Sequence, residues 1–310
     1  MNEFIITFRE SLEAALVVGI VGAFVSNSGE KSNFRFVLYG ILAAVVCSIL
    51  AAVALESAEE LLQYHSAEYF FEAAMMFLAS GFLIYMVSWM AKRSNIRQEL
   101  EQKTSTALET GSKWGIFSIV FFAIMREGFE TVLFLFASEN QTKSFSYVGA
   151  ITGIIAAVLI AWLIFSQSKR LPIKQFFNIT SILLIVMAAG MAAYGTHELE
   201  EGFEKAKMLG LFGLHDETLP DGKVIEAEDK IARPWDILKP QSELSSDSNP
   251  TFYTQANGKY IHWFHDKGLI GSYLKGFIGY NSNPNWPEFF IWIFTLGFGI
   301  YLWKKPVLKP

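Results

Sequence analysis

The sequence is poor in cysteine and lacks several patterns that would indicate a redox or disulfide-stabilised protein. Cys47 is the only cysteine and lies in an apolar run, which excludes a disulfide framework and a thiolate metal site. No glutamate is followed three residues later by histidine, the pairing typical of di-iron sites in helical bundles. No haem, flavin or copper motif takes its place. The N-terminus has no basic residue before the first apolar run and no small-residue cleavage site, so we expect the first apolar segment to be retained.

Apolar residues dominate what is present. Of 310 residues, 52% are hydrophobic and 28 are phenylalanine, too many for a soluble protein of this size. A bilayer core of about 30 Å is crossed by roughly 20 helical residues. The sequence therefore predicts an all-α integral membrane protein with seven transmembrane helices, near 4–25, 36–55, 69–91, 114–137, 147–166, 176–196 and 288–303.

The distribution of basic residues predicts the topology. If seven spans alternate, nearly all lysines and arginines of the short loops fall on one side, while the opposite short loops hold only Lys143. Lysine and arginine in short loops stay cytoplasmic. We therefore expect an outside N-terminus, a cytoplasmic C-terminus and an extracytoplasmic 197–287 segment, in the inner or plasma membrane. Acidic residues concentrate on the outer side, where they would attract cations.

An internal repeat relates the two halves of the apolar region. The stretch "RESLEAALVV" (9–18) returns as "REGFETVLFL" (126–135), and "ASGFLIY" (79–85) is echoed by "AAGMAAY" (188–194). A unit of three spans must be inverted in its second copy, as in many transporters. The predicted domains are a first repeat, a cytoplasmic loop, a second repeat, an extracytoplasmic segment and a seventh helix with a tail: 1–91, 92–113, 114–196, 197–287 and 288–310.

The repeated motif puts charged residues inside two apolar helices. At about 1.5 Å and 100° per residue, the charges of both copies reach the same depth and each set faces one way. One alternative is that each arginine merely pairs with the glutamate four residues on, but this leaves one buried carboxylate per helix. A net charge near −2 at membrane depth requires a cation or protons. The sequence therefore predicts one buried site with four metal ligands and two organising arginines: Glu10, Glu13, Glu127, Glu130, Arg9 and Arg126.

Carboxylate oxygens favour hard cations. No cysteine or methionine cluster accompanies the motif in the sequence, which argues against copper(I). Electrostatics alone leaves ferric iron, manganese, calcium and lead open.

Two R-E-x-x-E motifs, in the first and fourth of seven spans, resemble the high-affinity iron permease family of fungi and bacteria, the oxidase-dependent iron transporters of the iron/lead transporter superfamily. "HELEEGF" (197–203) and "GLIGSYLKGFIGYNSNP" (268–284) also resemble elements of that family. Ser11 departs from the usual glycine of the motif, whereas Gly128 keeps it. The resemblance implies import of ferric iron, with the four motif glutamates as ligands, iron as substrate and no tightly bound cofactor.

Further acidic residues lie near the predicted outer ends of the spans. We expect Glu72, His197, Glu198 and Glu201 to form a vestibule that collects iron, although runs of glutamate are also ordinary at solvated helix ends. "HWFHDK" (262–267) has closely spaced histidines, but a short H-x-x-H without further partners is a weak metal signal.

Two other functions stay open on the sequence: a carrier or channel for another divalent cation such as manganese or lead, and a membrane ferroxidase. We expect a non-enzyme, because oxidation in the resembling family belongs to a partner. The partners expected are the iron ion, a ferroxidase or an extracytoplasmic iron-delivery protein, the lipid bilayer and possible further copies of the chain, but no nucleic acid.

Overall fold

In the computed structural model, the described part of the chain is mostly helical. It comprises residues 2–28, 33–62, 66–92, 96–109, 112–142, 145–167, 173–218, 224–225, 230–235, 238, 240–242, 249–256 and 258–305. Six basic residues behind the topology prediction lie outside it, namely Lys31, Arg93, Lys143, Lys169, Arg170 and Lys309.

The described residues form nine α-helices, and a helix covers each of the seven stretches predicted from hydropathy. Their bounds are α1 (Asn2–Asn27), α2 (Phe34–Leu62), α3 (Ala67–Lys92), α4 (Ile96–Glu109), α5 (Lys113–Thr142), α6 (Tyr147–Gln167), α7 (Ile173–Lys205), α8 (Leu269–Ile278) and α9 (Trp286–Lys304).

Five of these helices have segments that are long and apolar enough to cross a membrane: α2, α3, α6, α7 and α9. The other two long helices, α1 and α5, carry the charged motifs and have 26 and 30 residues. This composition, with large apolar side chains such as Leu50 and Val148 on the surface, is that of an integral membrane protein.

Contacts between helices fix their relative directions. The Thr7 hydroxyl of α1 donates to the Ala150 carbonyl of α6 (2.9 Å), and Gly19 packs against Phe165, so α1 and α6 run parallel. The helices α2 and α5 also run parallel, since Gly40 packs on Phe117 and Gly128 on Ser48.

Two further pairs are antiparallel. The Ser80 hydroxyl of α3 donates to the Ala188 carbonyl of α7 (2.8 Å), while Gly195 packs on Met76. In the centre α1 crosses α5, with Glu10 near Glu127; Asn2 and Thr142 both lie beside Gly276, and Val21 shares an apolar cluster with Ile116, so these helices are antiparallel. We call the end of the bundle where α1 begins and α5 ends the rim, and the opposite end the base.

Two apolar layers flank this central crossing. The rim-side layer contains Ile6, Leu133 and Phe134, which belong to a larger apolar cluster that continues along α3 and α7 to Val87 and Leu184. The base-side layer joins Val21 of α1 to residues of α2, α4 and α5. The charged motifs lie between these layers.

The segment 92–113, predicted as a loop, contains the helix α4. Its Thr104 and Ala107 are buried, and Ala107 belongs to the base-side layer. Hydropathy did not predict this helix because most of its residues are polar. A helix packed across the ends of α1 and α5 closes the base of the bundle.

The described residues of the segment 197–287 contain both helices and strands. Helix α7 continues to Lys205, and two antiparallel hairpins follow, pairing β1 (Glu217–Thr218) with β2 (Val224–Ile225) and β3 (Tyr253–Ala256) with β4 (Lys259–His262). These hairpins are short, and the described chain stays mostly helical, consistent with the predicted all-α membrane protein. Helix α8 then packs into the rim, where Gly279, in the left-handed conformation (φ 67°), touches Gly190 of α7.

Candidate metal centre

The first motif is held by a fully buried arginine. Arg9 is 1% exposed, and its guanidinium pairs with Glu10 through Nη1 and with Glu13 through Nη2, the latter at 2.7 Å. Nη1 also contacts Met86 Sδ of α3 (3.0 Å). This motif is thus fixed from two sides, by its own glutamates and by α3.

The second motif repeats the pairing in a more open setting. Arg126 Nη2 lies 2.9 Å from Glu127 Oε1, and Arg126 Nε lies 3.2 Å from Glu130 Oε1. The Arg126 side chain is 40% exposed, against 1% for Arg9. The two copies therefore share their pairing but differ in burial.

This pairing differs from the alternative considered from the sequence. The alternative weighed from the sequence paired each arginine only with the glutamate four residues on, whereas each arginine contacts both glutamates of its motif. A guanidinium presents several N–H groups in one plane, so two carboxylates can share it. The total is unchanged, because four ionised carboxylates and two arginines still carry a net charge of −2.

The two motifs meet where α1 crosses α5. One carboxylate oxygen from each of Glu10, Glu127 and Glu130 lies within 4.8 Å of the others, and all three residues are buried. Each also has one oxygen, Oε2, without a hydrogen-bond partner. Hard divalent cations bind carboxylate oxygens at about 2.0–2.6 Å, so these three oxygens are close enough to share one ion.

Glu13 is not part of this group of three. It is buried and pairs with Arg9, and it lies in the electrostatic field of Glu10 and Arg126. Through Arg9, which it shares with Glu10, Glu13 is linked to the group of three oxygens. Its role as a ligand stays a prediction.

Glycine in the second motif lets α2 approach α5 closely. A Cβ at Gly128 would collide with the Ser48 side chain, whose hydroxyl donates to the Ala44 carbonyl (2.9 Å). Ser11, the corresponding residue of the first motif, is half-buried. The close α2 contact explains why a small residue is needed in the second copy.

The secondary candidates Glu72 and Glu198 lie at the rim, on the facing helices α3 and α7. Both are buried, at 3% and 2% exposure. Tyr194 lies in the electrostatic field of both Glu198 and Glu72. Lys275 Nζ of α8 is 4.4 Å from the centre of the Tyr194 ring. These residues form a rim cluster, which the rim-side apolar layer separates from the motifs.

His197 contacts carboxylates through both ring nitrogens. Nε2 lies 3.2 Å from Glu201 Oε1, and Nδ1 lies 3.0 Å from Glu288 Oε1. Glu288 is buried at the start of α9 and also accepts from the Asn281 amide (2.8 Å). Sequence reasoning did not select Glu288, although an acid beside the last apolar span was a signal. Metal binding by His197 and Glu201 stays a prediction.

The histidines of "HWFHDK" have separate environments. His262 Nδ1 accepts from the Phe264 amide, whereas His265 Nδ1 lies 2.9 Å from Asp266 Oδ1. The Ser282 hydroxyl donates to the same oxygen of Asp266 (2.7 Å). Within the described residues, the one group of three ligand atoms close enough for a metal is that of Glu10, Glu127 and Glu130.

Comparison with known proteins identifies the family. The chain belongs to the iron permease FTR1 family, whose model matches residues 1–217. It is 34% identical over 298 residues to the ferrous iron permease EfeU of Escherichia coli O6:H1, covering 94% of this chain and 91% of that protein.

Two other relatives are similar to this chain; one has the same name as the Escherichia coli protein, and the other is matched over nearly the whole chain. The chain is 34% identical over 195 residues to the ferrous iron permease EfeU of Yersinia pestis (61% and 68% covered). It is 33% identical over 296 residues to an uncharacterised protein of Archaeoglobus fulgidus (92% and 88% covered). No solved structure gives a significant match. Membership of a permease family supports iron transport as the class of function.

Proposed function

We propose that this chain is an iron permease in which one iron ion at a time binds between the two R-E-x-x-E motifs. The observation that carries the proposal is that three buried carboxylate oxygens, one from α1 and two from α5, lie within 4.8 Å of one another. Buried carboxylates at membrane depth are costly unless a cation or protons neutralise them. An ion between the helices would hold both halves of the bundle together.

Charge balance favours ferrous iron as the transported ion. Four carboxylates and two arginines sum to −2, which one divalent ion neutralises and a trivalent ion would overcompensate. The relatives from Escherichia coli and Yersinia pestis are named ferrous iron permeases. Ferric iron, which the family resemblance implied, is the competing prediction.

The helix directions support the inverted-repeat arrangement with seven spans. Exchanging α1, α2 and α3 with α5, α6 and α7 turns the parallel pair α1 and α6 into the parallel pair α5 and α2. The antiparallel pairs, α1 with α5 and α3 with α7, map onto themselves. Helix α9 would be the seventh span, outside both repeats. Such a relation supports alternating exposure of the site to the two sides.

The excess of lysine and arginine in the base-side loops supports an outside rim and a cytoplasmic base. On this orientation, iron would arrive at the rim cluster, and Glu72, His197, Glu198 and Glu201 would collect it. The two apolar layers would then open in turn. A ferroxidase or delivery protein would supply the ion at the rim, as the resemblance implies.

Uptake measurements in a cell lacking its own iron importers test the proposal. Wild type should import iron supplied as Fe²⁺ under reducing conditions faster than Fe³⁺ citrate, with weak competition by Mn²⁺. Glu10→Gln and Glu127→Gln should abolish uptake, whereas Glu217→Gln, an exposed glutamate of β1, should not. Normal uptake by both motif variants would exclude the shared site, and faster import of manganese would favour the other-cation alternative. Oxygen consumption without transport would favour a ferroxidase.

A further inference from the structure

Two buried oxygens lie on the rim side of the motifs without a hydrogen-bond partner. Outside the two charged motifs, Ser138 Oγ and Gln141 Oε1 are the only such side-chain atoms in the described part of the chain. Both residues are almost fully buried, at 0% and 1% exposure. A polar atom that is buried without a hydrogen-bond partner lowers the stability of the fold. A bound ligand would give these two oxygens a partner and remove that cost.

The orientation of the Gln141 amide is fixed by its neighbour. Its Nε2 donates to the Lys275 carbonyl of α8 (3.0 Å), and a carbonyl can only accept. The oxygen therefore occupies the other side of the amide. Ser138 and Gln141 thus offer two neutral oxygen donors, the kind of ligand that hard cations accept.

Their spacing aligns them with the motif. Eleven residues turn a helix by three full turns and about 20° more, and advance it by about 16 Å. Ser138 is eleven residues beyond Glu127, and Gln141 is eleven beyond Glu130. Both donors therefore lie above the motif glutamates on the same face of α5, where Gln141 contacts α8.

We propose that Ser138 and Gln141 form a second, weaker station for a partly hydrated divalent cation on its way from the rim to the motif. This rests on the proposed function, because it adds a site to the same route. Charge at the rim supports it, since Glu139 lies in the electrostatic field of Glu3 and Glu56. Acidic residues would attract the ion, and neutral donors would bind it weakly enough to pass it on.

A barrier separates the station from the motif. Ile6, Leu133 and Phe134, each at most 2% exposed, belong to the rim-side apolar layer between them. A cation at the station would wait there until this layer opens. Loss of the station should therefore slow uptake at limiting iron. It should leave the affinity of the motif for iron almost unchanged.

The test compares wild type with the double variant Ser138→Ala/Gln141→Leu, using anaerobic Fe²⁺ titration of the purified full chain and uptake in proteoliposomes. Wild type should bind one tight and one weaker equivalent. The double variant should lose the weaker equivalent, keep the tight one, and take up limiting iron about tenfold more slowly. Ser80→Ala is the matched control, because that buried hydroxyl has a partner in the Ala188 carbonyl. It should keep both equivalents.

Binding and uptake unchanged from wild type in the double variant would overturn the station and leave the two oxygens as ligands of a structural water only. Should the double variant fold poorly, Ser138→Ala replaces it, because the Ser138 hydroxyl has no hydrogen-bond partner to lose and its removal should weaken the weaker equivalent about tenfold. An unchanged weaker equivalent in Ser138→Ala would also overturn the station. If wild type imports no iron at all, the proposed function fails, while the number of bound equivalents still decides whether the station exists.

Discussion

Arg9 and Arg126 hold the same position in their motifs but have different surroundings. Arg9 is enclosed by its glutamates and Met86, whereas the Arg126 side chain keeps 40% of its surface exposed. Neither can be a metal ligand, because a guanidinium has no lone pair to donate. Both can hold the carboxylates ionised and oriented, one as part of the core and the other at its edge.

This difference predicts unequal effects on stability. Arg9→Ala leaves two buried carboxylates without their counter-ion, and breaking such a pair costs about 3–5 kcal/mol. Arg126→Ala should cost clearly less, because solvent reaches that side chain. Thermal unfolding of both variants in detergent measures the difference, with Arg9→Lys as the control that keeps the charge. Equal unfolding temperatures for the two alanine variants would contradict the unequal burial.

Substitutions of Arg126 should act mainly on transport. Arg126→Lys keeps the charge but loses the planar two-pronged contact, so iron binding should weaken moderately. Arg126→Ala leaves excess negative charge that favours proton uptake, and protons compete with the metal. Its uptake should therefore fall more steeply on acidification than that of wild type. An Arg126→Ala variant with the wild-type rate and pH profile would rule out this organising role.

Among the elements, α8 packs closely on α7 because both contacting residues are glycines. A Cβ on Gly190 would lie 2.7 Å from the Gly279 Cα, so these two backbones touch. Trp292 of α9 also donates to the Ile278 carbonyl (2.7 Å). The end of α8 is thereby fixed about 12 Å toward the base from Glu198.

Alanine at Gly190 should therefore displace α8. Overpacking costs about 1–3 kcal/mol, which exceeds the gain in helix propensity of about 1 kcal/mol. Gly81→Ala is the matched control, because no atom lies within 4 Å of its Cβ position. Unfolding midpoints should fall for Gly190→Ala and stay level or rise for Gly81→Ala. A Gly190→Ala variant as stable as the control would mean that the contact is not tight.

Some elements could be predicted from the sequence and others could not. Hydropathy located a helix at each apolar stretch, and the repeated motif indicated that Glu10 would meet Glu127, as it does. Helix α4 is too polar for hydropathy to detect. The exclusion of Glu13 from the close group, and the place of Glu288 beside His197, depend on side-chain directions between helices that no periodicity specifies.

For the whole molecule, the inverted repeat predicts on which side of the membrane each segment lies. A reporter fused after Lys305 should be cytoplasmic, because α9 ends at the base. A reporter inserted between 216 and 247 should be extracytoplasmic, because that segment follows the rim end of α7. Reporter activity on the same side at both points would require an even number of spans between them and would contradict the inverted repeat.

The central claim, that α1 and α5 build one metal site together, is tested most directly by counting tightly bound iron. Purified wild type, titrated anaerobically with Fe²⁺, should bind one tight equivalent. Glu10→Gln on α1 and Glu127→Gln on α5 should each abolish that equivalent completely, since both contribute to the same three oxygens. Two tight equivalents in wild type, with each variant losing only one, would contradict the account, because each helix would then bind its own ion.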